Sequence, residues 1–173
     1  MKIEVIKVEQ TQELLAETMK HCWGVESNMN KEKLFACNDS ILEIPEYYIF
    51  ATVPRSVALQ METHKKKHGC YVWLESARPD LATARTDKPY ARDTEVNTVM
   101  KLTARAIKEI SHYRMCEKAE APTRRFMQLL KACICEMEPA LAKEMVPMCV
   151  FRGGICTEFN SCKKNTKNKN NTI

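Results

Sequence analysis

The segment from Ile41 to Val53 constrains the fold most, because β-branched and aromatic residues are concentrated in it. Such residues fit a pleated, half-buried surface, so this composition predicts a long strand. Pro45 cannot donate to a strand ladder and is therefore expected at an edge or a bulge. Two further strands are predicted, one spanning Ile3 to Val8 and one from Cys70 to Glu75. The chain is thus expected to contain a sheet.

Helical patterns are predicted between and after these strands. The first helix has Thr11 as its N-cap, and a short second helix covers Asn30 to Phe35. A third helix begins at Pro54, because the fixed φ and the missing N–H of proline suit the first turn of a helix.

The second half of the chain is predicted to be mainly helical. One helix runs from about Thr94 to Cys116, a second begins near Pro122, and a short one lies around Ala140 to Met145. Residues 78–93 contain two prolines and scattered charges without periodicity, so they predict a long loop. Long loops within compact domains are often functional.

This order of elements predicts an α+β protein with a mixed or antiparallel sheet and long helices, forming a single compact domain over residues 1–162. Residues 163–173 contain Lys, Asn and Thr with one apolar residue, which predicts a disordered basic tail. The formal net charge is +5, and four lysines of that tail account for most of it. Subtracting them leaves about +1, which argues against a strong nucleic-acid-binding surface.

Composition also limits the class of protein. No window of the sequence approaches the roughly 18 apolar residues that span a bilayer. The N-terminal residues include an early acid and no apolar core, so no secretory leader is expected and the protein is predicted to be cytoplasmic. Nine cysteines without a secretory signal predict reduced thiols, among which Cys133 and Cys135 are expected to be buried in a helix.

Phosphate recognition is predicted to depend on side chains. The sequence has four glycines and no GxGxxG or GxxxxGK pattern, so the usual backbone cradles for phosphates are not expected. Arginine is the side chain whose fork best matches phosphate oxygens.

A cluster of polar residues offers such a site. Gln60 and His64 are four residues apart and share one face of a helix, where the Gln60 amide can pair with a ring edge such as that of uracil. Ser76 and Arg78 lie two apart on an extended segment and can together bind one phosphate. The alternative interpretation from these residues alone is a helix end followed by a solvated basic run, residues 65–68.

The same residues resemble the motif of the flavin-dependent thymidylate synthase family. Its members carry a Gln three residues before an Arg-His-Arg triplet, and a Ser-x-Arg follows after a short spacer. Here Gln60, Thr63-His64-Lys65 and Ser76-Ala77-Arg78 stand in that order. Residues 110–114 resemble the end of the family's long helix, which finishes on a nucleotide-binding Arg. Residues 145–159 resemble the closing segment of a phage and bacterial branch.

This resemblance, which extends to about Cys162, implies the fold and the chemistry of that family. Its members methylate deoxyuridine monophosphate (dUMP) to dTMP with methylenetetrahydrofolate as carbon donor and reduced FAD as hydride source, and they use no cysteine nucleophile. NADPH is the implied cosubstrate that reduces the flavin. Family members are homotetramers whose active sites lie between subunits. The implied partners are therefore dUMP, folate and further copies of this chain.

Position in the motif implies a role for each residue. Arg114 is the candidate catalytic residue, because it would polarise the pyrimidine as charge develops. The implied dUMP-binding residues are Gln60, Ser76, Arg78 and Arg114. The implied FAD-binding residues are Asn38, Thr63, His64 and Lys65.

The chain departs from the family pattern mainly on the flavin side. Thr63 replaces the first Arg of the triplet and cannot supply its positive charge. Asn38 stands where the family has a His, and Glu109 stands where it has a flavin-contacting Asn. Three functions are therefore considered: a synthase with altered flavin contacts, a related flavin enzyme acting on a pyrimidine nucleotide, for example by hydroxymethylation, and a non-catalytic nucleotide-binding descendant.

Other residues carry weaker hypotheses. Four thiolates, those of Cys116, Cys149, Cys156 and Cys162, offer a structural zinc site, although they lack the C-x-x-C spacing and free thiols are the preferred expectation. His112 is expected to be a surface or helix-capping residue. If the family resemblance is set aside, a small α+β module that contacts nucleic acid is the alternative.

Overall fold

The structure is a computed structural model that describes residues 1–24, 30–37, 39–64, 70–75 and 91–162. Several predictions fall outside these ranges: Asn38, Lys65, Ser76, Arg78, most of the predicted loop 78–93 and the predicted tail 163–173. No helix in the described ranges is long and apolar enough to cross a membrane.

A four-stranded antiparallel sheet with the strand order β1-β2-β4-β3 forms the centre of the fold. Its strands are β1 Lys2–Lys7, β2 Glu46–Pro54, β3 Tyr71–Leu74 and β4 Glu95–Thr103. The two central strands, β2 and β4, are the longest at nine residues each.

Helices precede, separate and follow these strands. They are α1 Glu9–Trp23, α2 Lys31–Ala36, α3 Arg55–Glu62, α4 Ala104–Arg114, α5 Ala121–Met137, α6 Pro139–Glu144 and α7 Met148–Phe151, and a 3₁₀ helix covers Ser40–Glu43. The predicted fold class, a single α+β domain with an antiparallel sheet, is confirmed.

Among the described residues, the helices cover one face of the sheet. Successive side chains of a strand point to opposite faces, so every second residue of β2 and β4 enters the core. The buried strand residues are Tyr47, Ile49, Ala51 and Val53 on β2 and Val96, Thr98, Met100 and Leu102 on β4. The helices close this core with fully buried side chains that include Phe126 and Leu130 of α5 and Ile107 of α4.

The opposite face, which we call the open face, carries large exposed side chains in the described part of the chain. Four large side chains on it, Ile6, Phe50, Tyr71 and Trp73, are 41% to 54% exposed. Tyr71 and Trp73 stack with ring centroids 5.8 Å apart. The open face is thus an apolar surface formed by three strands.

The predicted strand from Ile41 to Val53 is wrong in its first part. Residues 40–43 form the 3₁₀ helix, which Asp39 caps by accepting a hydrogen bond from the backbone N of Ile41 at 3.0 Å. Pro45 lies just before β2, so its missing N–H interrupts no ladder, and its carbonyl accepts from the N of Ala104 at 2.9 Å. β2 is therefore a central strand that starts after the proline.

The predicted helix from Thr94 to Cys116 is also wrong in its first part. Residues 95–103 form β4, in which Val96, Thr98, Met100 and Leu102 alternate with more exposed neighbours. Thr103 then caps α4 by accepting a hydrogen bond from Ala106 N at 3.2 Å. The apolar residues of this segment fit both the helical period of about 3.6 residues and the strand period of two residues. The strand forms because β2 supplies a partner for it.

Helix starts were predicted with mixed success. The predicted starts at Asn30 and Pro54 are each one residue early: Asn30 is the N-cap of α2, where its side chain accepts from Glu32 N and Lys33 N, and Pro54 is the N-cap of α3. Thr11 is not the N-cap of α1, because this helix begins at Glu9. The hydroxyl of Thr11 donates to Val8 O at 2.7 Å and accepts from Glu46 N at 3.1 Å. Thr11 therefore joins α1 to the start of β2.

The two cysteines of α5 are less buried than expected. Cys135 is exposed and Cys133 is half-buried. The buried stripe of α5 instead contains Thr123, Phe126, Met127, Leu130 and Ile134. Both cysteines lie beside this stripe rather than in it. The apolar character of cysteine alone does not indicate on which side of a helix it lies.

Candidate functional site

The C-terminal ends of α3 and α4 meet and form the candidate site. Gln60 lies in the last turn of α3, Thr63 is its C-cap and His64 follows, with its backbone N donating to Met61 O at 3.0 Å. Arg114 is the last residue of α4. Thr63 is exposed and the other three side chains are half-buried, so a ligand can reach all of them.

Hydrogen bonds hold Arg114 against the end of α3. Its Nε donates to Nε2 of His64 at 3.0 Å, and its Nη2 donates to the hydroxyl of Thr63 at 3.4 Å. The same hydroxyl donates to the carbonyl of Gln60 at 2.7 Å. The structure thus brings together four residues that the sequence motif selected from two distant segments.

The charge of Arg114 is only partly solvated. Burial is the main cause that lowers its pKa, and the nearby Glu120 carboxylate opposes this effect. The guanidinium keeps its charge at neutral pH because even a lowered arginine pKa stays high. Glu120 also forms an ion pair with Arg92. A half-buried, charged guanidinium is well suited to an anionic or polarised ligand.

The other predicted site residues lie outside the described residues. These are Ser76 and Arg78 of the nucleotide-binding set and Asn38 and Lys65 of the flavin-contacting set. Asn38 adjoins Cys37, however, and the backbone up to Cys37 is described.

A buried lysine that sequence reasoning missed fixes this backbone. The ammonium of Lys108 donates to the carbonyls of Phe35, Ala36 and Cys37 at 2.9, 3.0 and 2.9 Å. These carbonyls end α2 and have no intrahelical partners of their own, so Lys108 acts as a C-terminal cap from another helix. Burial lowers the pKa of Lys108, and the carboxylate of Glu144 at 3.8 Å opposes this effect.

Glu109, which stands where the resembled family has an Asn, is engaged in ion pairing. Arg105 donates to Glu109 at 3.2 Å on α4 and to Glu43 at 2.9 Å in the 3₁₀ helix. Arg105 therefore bridges α4 to the segment after Asn38. The carboxylate of Glu109, at the position where the resembled family has an Asn, is thus paired with Arg105.

A pocket of about 350 Å³ lies beyond the end of α4. It is lined by His112, Tyr113, Arg114, Cys116, Lys118, Ala119, Met148, Cys149, Arg152, Cys156, Thr157, Glu158 and Cys162. All four cysteines of the zinc hypothesis therefore line one pocket. Within the described ranges, however, no three His, Cys, Asp or Glu residues are arranged to hold a metal ion.

His112 is buried, which corrects the expectation of a surface or capping residue. Only 4% of it is exposed, and its ring stacks on Phe151 with centroids 4.4 Å apart. Its Nε2 is buried without a hydrogen-bond partner among the described residues. Burial is the main cause that lowers its pKa, and the positive charges of Lys108 and Arg152 lower it further. The i, i+4 spacing from Lys108 is the sequence signal that puts the two residues on one helix face.

Comparisons with known proteins identify the fold. No protein-family model matches the sequence, and no curated protein matches it. Two crystal structures of the flavin-dependent thymidylate synthase ThyX from Helicobacter pylori, both with FAD and dUMP, are similar in fold. The match to the first structure spans 84% of this chain and 100% of the ThyX chain, with a TM-score of 0.66 and 11% sequence identity. The match to the second structure spans 84% of this chain and 99% of the ThyX chain, with a TM-score of 0.67 and 11% sequence identity. This chain has a ThyX-like fold.

Proposed function

We propose that this chain methylates dUMP to dTMP, with methylenetetrahydrofolate as carbon donor, FAD as redox cofactor and NADPH as its reductant. The observation that carries the proposal is the hydrogen bond from Arg114 to His64. It joins the two parts of the sequence motif within a ThyX-like fold. The fold alone leaves the activity open, whereas this contact joins a residue proposed for the nucleotide, Arg114, to one proposed for the flavin, His64.

On this proposal Gln60 and Arg114 bind the pyrimidine ring. The amide of Gln60 offers a donor and an acceptor to the edge of uracil, and the guanidinium of Arg114 donates to a ring oxygen. By holding that oxygen, Arg114 polarises the pyrimidine ring and stabilises the charge distribution from which the ring carbon attacks the methylene donor. Ser76 and Arg78 bind the phosphate of dUMP.

The described residues of the flavin-contacting set fit a flavin in part. Thr63 and His64 present a hydroxyl and an imidazole at the end of α3, but neither supplies the fixed positive charge of an arginine. When bound, FAD supplies the hydride that completes the methyl group. Thr63 and His64 orient the cofactor, together with Asn38 and Lys65. Lys108 holds the backbone beside Asn38 through the carbonyls of α2.

The proposed assembly is a homotetramer with active sites between subunits. The open face of the sheet supports self-association, because a second copy would cover the exposed Phe50, Tyr71 and Trp73. This face also carries both signs of charge, Lys2 and Glu4, which a two-fold-related copy can pair. Apolar faces of this kind are rarely left open in monomers.

The ion pair between Arg105 and Glu109 favours a second candidate. Because Glu109 presents a carboxylate paired with Arg105 rather than an amide, flavin contacts at this position differ from those of the resembled family. A related flavin enzyme with other chemistry on a pyrimidine nucleotide, for example hydroxymethylation, accommodates this change. A nucleotide-binding protein without catalytic activity does so as well.

Visible absorption spectra test the proposal most directly. We expect purified protein to bind FAD and its flavin spectrum to change when dUMP is added, since both ligands occupy one site. Formation of dTMP from dUMP, methylenetetrahydrofolate and NADPH then separates the synthase from both alternatives. If FAD at millimolar concentration produced no bound-flavin spectrum, the synthase proposal would be abandoned in favour of nucleotide binding alone.

A further inference from the structure

Four of the nine cysteines line the pocket beyond α4, and they lie on two opposite walls. The first wall is formed by residues 112–119, the end of α4 and the turn after it, and it contributes Cys116. The second wall is formed by residues 148–162, α7 and the segment after it, and it contributes Cys149, Cys156 and Cys162. Two such thiols can form a disulfide once their Cβ atoms approach to about 3.8 Å, which requires one wall to move.

Cys116 lies on the wall that is held in place. Backbone hydrogen bonds close the turn around it, from Met115 N to Ser111 O at 3.0 Å and from Ala119 N to the carbonyl of Cys116 at 2.9 Å. The backbone N of Lys118 donates to the Sγ of Cys116 at 3.5 Å. The side chain is half-buried and lines the pocket, so an oxidant can reach it.

Cys156 lies on the wall that is loosely held. The last backbone bond of this wall runs from Gly154 N to Cys149 O at 2.7 Å, and residues 155–160 make no backbone–backbone hydrogen bond within the described part of the chain. Their one hydrogen bond to a side chain there is that from Arg152 to the hydroxyl of Thr157, at 3.4 Å. A segment with so few bonds moves at a low cost in free energy, so Cys156 can approach Cys116.

The other two cysteines of the second wall are less able to move. Cys149 is buried in α7, and α7 is anchored on α4 by the stacking of Phe151 on His112. Cys162 adjoins Ser161, a residue that is engaged in a further interaction. Cys156 is therefore the partner that the local bonding favours for Cys116.

Positive charge surrounds the two thiols. Arg114, Lys118 and Arg152 line the pocket, together with the single acid Glu158. A positive potential stabilises the negative charge that a sulfur atom carries when it attacks an oxidant, and reactive cysteines are typically found in such partly exposed, electropositive surroundings.

We propose that Cys116 and Cys156 form a reversible disulfide when the protein meets hydrogen peroxide, and that the bond draws residues 155–160 into the pocket. The Sγ of Cys116 attacks one peroxide oxygen, the O–O bond breaks, and a sulfenic acid and one water form. The Sγ of Cys156 then attacks the sulfenic sulfur, the S–O bond breaks and a second water leaves with the remaining thiol proton. Two thiols are oxidised and one peroxide is reduced to two waters. In a reducing compartment such bonds are transient and serve redox sensing.

The consequence for ligand binding rests on the proposed function, whereas the disulfide itself does not. Cys116 is two residues from Arg114, so the bond pulls on the end of α4 where Arg114 contacts His64. We expect the disulfide form to bind dUMP at least fivefold more weakly than the reduced form.

Peroxide titration of the full chain tests the bond. Cys22→Ser/Cys135→Ser is the parent protein, because it lacks the two exposed cysteines that would link separate molecules. After alkylation of the remaining thiols, trypsin and a glutamate-specific protease place the four pocket cysteines in four different peptides, 115–117, 145–152, 153–158 and 159–163. Mass spectrometry should find peptide 115–117 joined to 153–158 with the loss of two hydrogens, and dithiothreitol should separate them. A bond confined to the second wall, or no bond at millimolar peroxide, would overturn the proposal.

The variants Cys116→Ser and Cys156→Ser, made in the same parent, separate this bond from general oxidation. Calorimetry measures dUMP affinity before and after peroxide treatment, and we expect the loss in the parent to be reversed by dithiothreitol and to be absent from both variants. Cys133→Ser is the matched control, because Cys133 is a half-buried cysteine of α5 outside the pocket, and it should respond as the parent does. An equal loss in Cys116→Ser would overturn the regulatory role. A parent that binds no dUMP before oxidation would contradict the proposed function, and the joined peptides would still decide whether the disulfide forms.

Discussion

The Nε of Arg114 donates a 3.0 Å hydrogen bond to Nε2 of His64, across 50 residues of sequence. Because Nε2 accepts this bond, the ring is neutral and carries its hydrogen on Nδ1. His64 therefore orients Arg114 without adding a second positive charge or neutralising the first. The charge of the guanidinium stays available to a ligand.

We expect Arg114→Ala to weaken dUMP binding at least tenfold, because it removes both the charge and the oriented donors. Arg114→Lys should recover part of this affinity but little dTMP formation, since lysine supplies a point charge without the planar fork. Calorimetric titration with dUMP and single-turnover assays measure the two effects. Arg125→Ala is the control, and equal dUMP affinity in Arg114→Ala and wild type would contradict the assignment.

The buried Lys108 should be among the most sensitive positions for stability. Replacement by Met keeps the length of the side chain but leaves the carbonyls of Phe35, Ala36 and Cys37 without their common donor. We expect a loss of about 1–3 kcal/mol in the free energy of unfolding, the range for uncompensated buried polar groups. Urea denaturation followed by circular dichroism gives the value, and Lys131→Met is a comparison, because Lys131 donates to a single carbonyl, that of Met145. A loss no larger than that of Lys131→Met would contradict the capping role.

Much of the architecture follows from local signals in the sequence. Asn30 and Pro54 mark helix starts because each acts within its own turn, by side-chain capping or by fixed φ. The segment 95–103 could not be assigned in this way. Its apolar residues also match a helical stripe, and only pairing with β2, some fifty residues earlier in the chain, selects the strand.

The candidate site was predictable for a different reason. Gln60, His64 and Arg114 were found through a motif, and they meet because the ends of α3 and α4 meet. Lys108 belongs to no motif. Its role depends on the end of α2, whose carbonyls pack around its ammonium. Such roles are tertiary and leave no local pattern.

The open face of the sheet should determine the oligomeric state. Trp73→Glu introduces a charge on this face beside Tyr71, on which Trp73 stacks, and burying an unpaired charge at an interface is costly. We expect this variant to dissociate to smaller species in size-exclusion chromatography with light scattering. Leu14→Glu is the control, because Leu14 is a comparably exposed apolar residue on α1. Unchanged mass in Trp73→Glu would exclude this face as an interface.

The buried ring of His112 should make the stability of the fold depend on pH in the mildly acidic range. Its pKa in the folded protein is lowered, mainly by burial and further by the charges of Lys108 and Arg152, which outweigh the opposing Glu109. In the unfolded chain a histidine titrates near its ordinary pKa of about 6.5. As the pH falls below that value, the unfolded state takes up a proton that the folded state does not, so the free energy of unfolding decreases. The decrease ends once the pH has fallen below the lowered pKa of His112 in the folded protein.

The measurement is urea denaturation at several pH values between 7.5 and 4.5, for wild type and His112→Phe. Carboxylates contribute to the wild-type slope at the acidic end, so the informative quantity is the difference between the two proteins. We expect this difference to change with pH below about 6.5, with wild type losing more stability than the variant. His21→Phe, which alters an exposed histidine of α1, controls for the loss of an imidazole at the surface. Parallel profiles for wild type and His112→Phe would show that the ring is not buried as a neutral group.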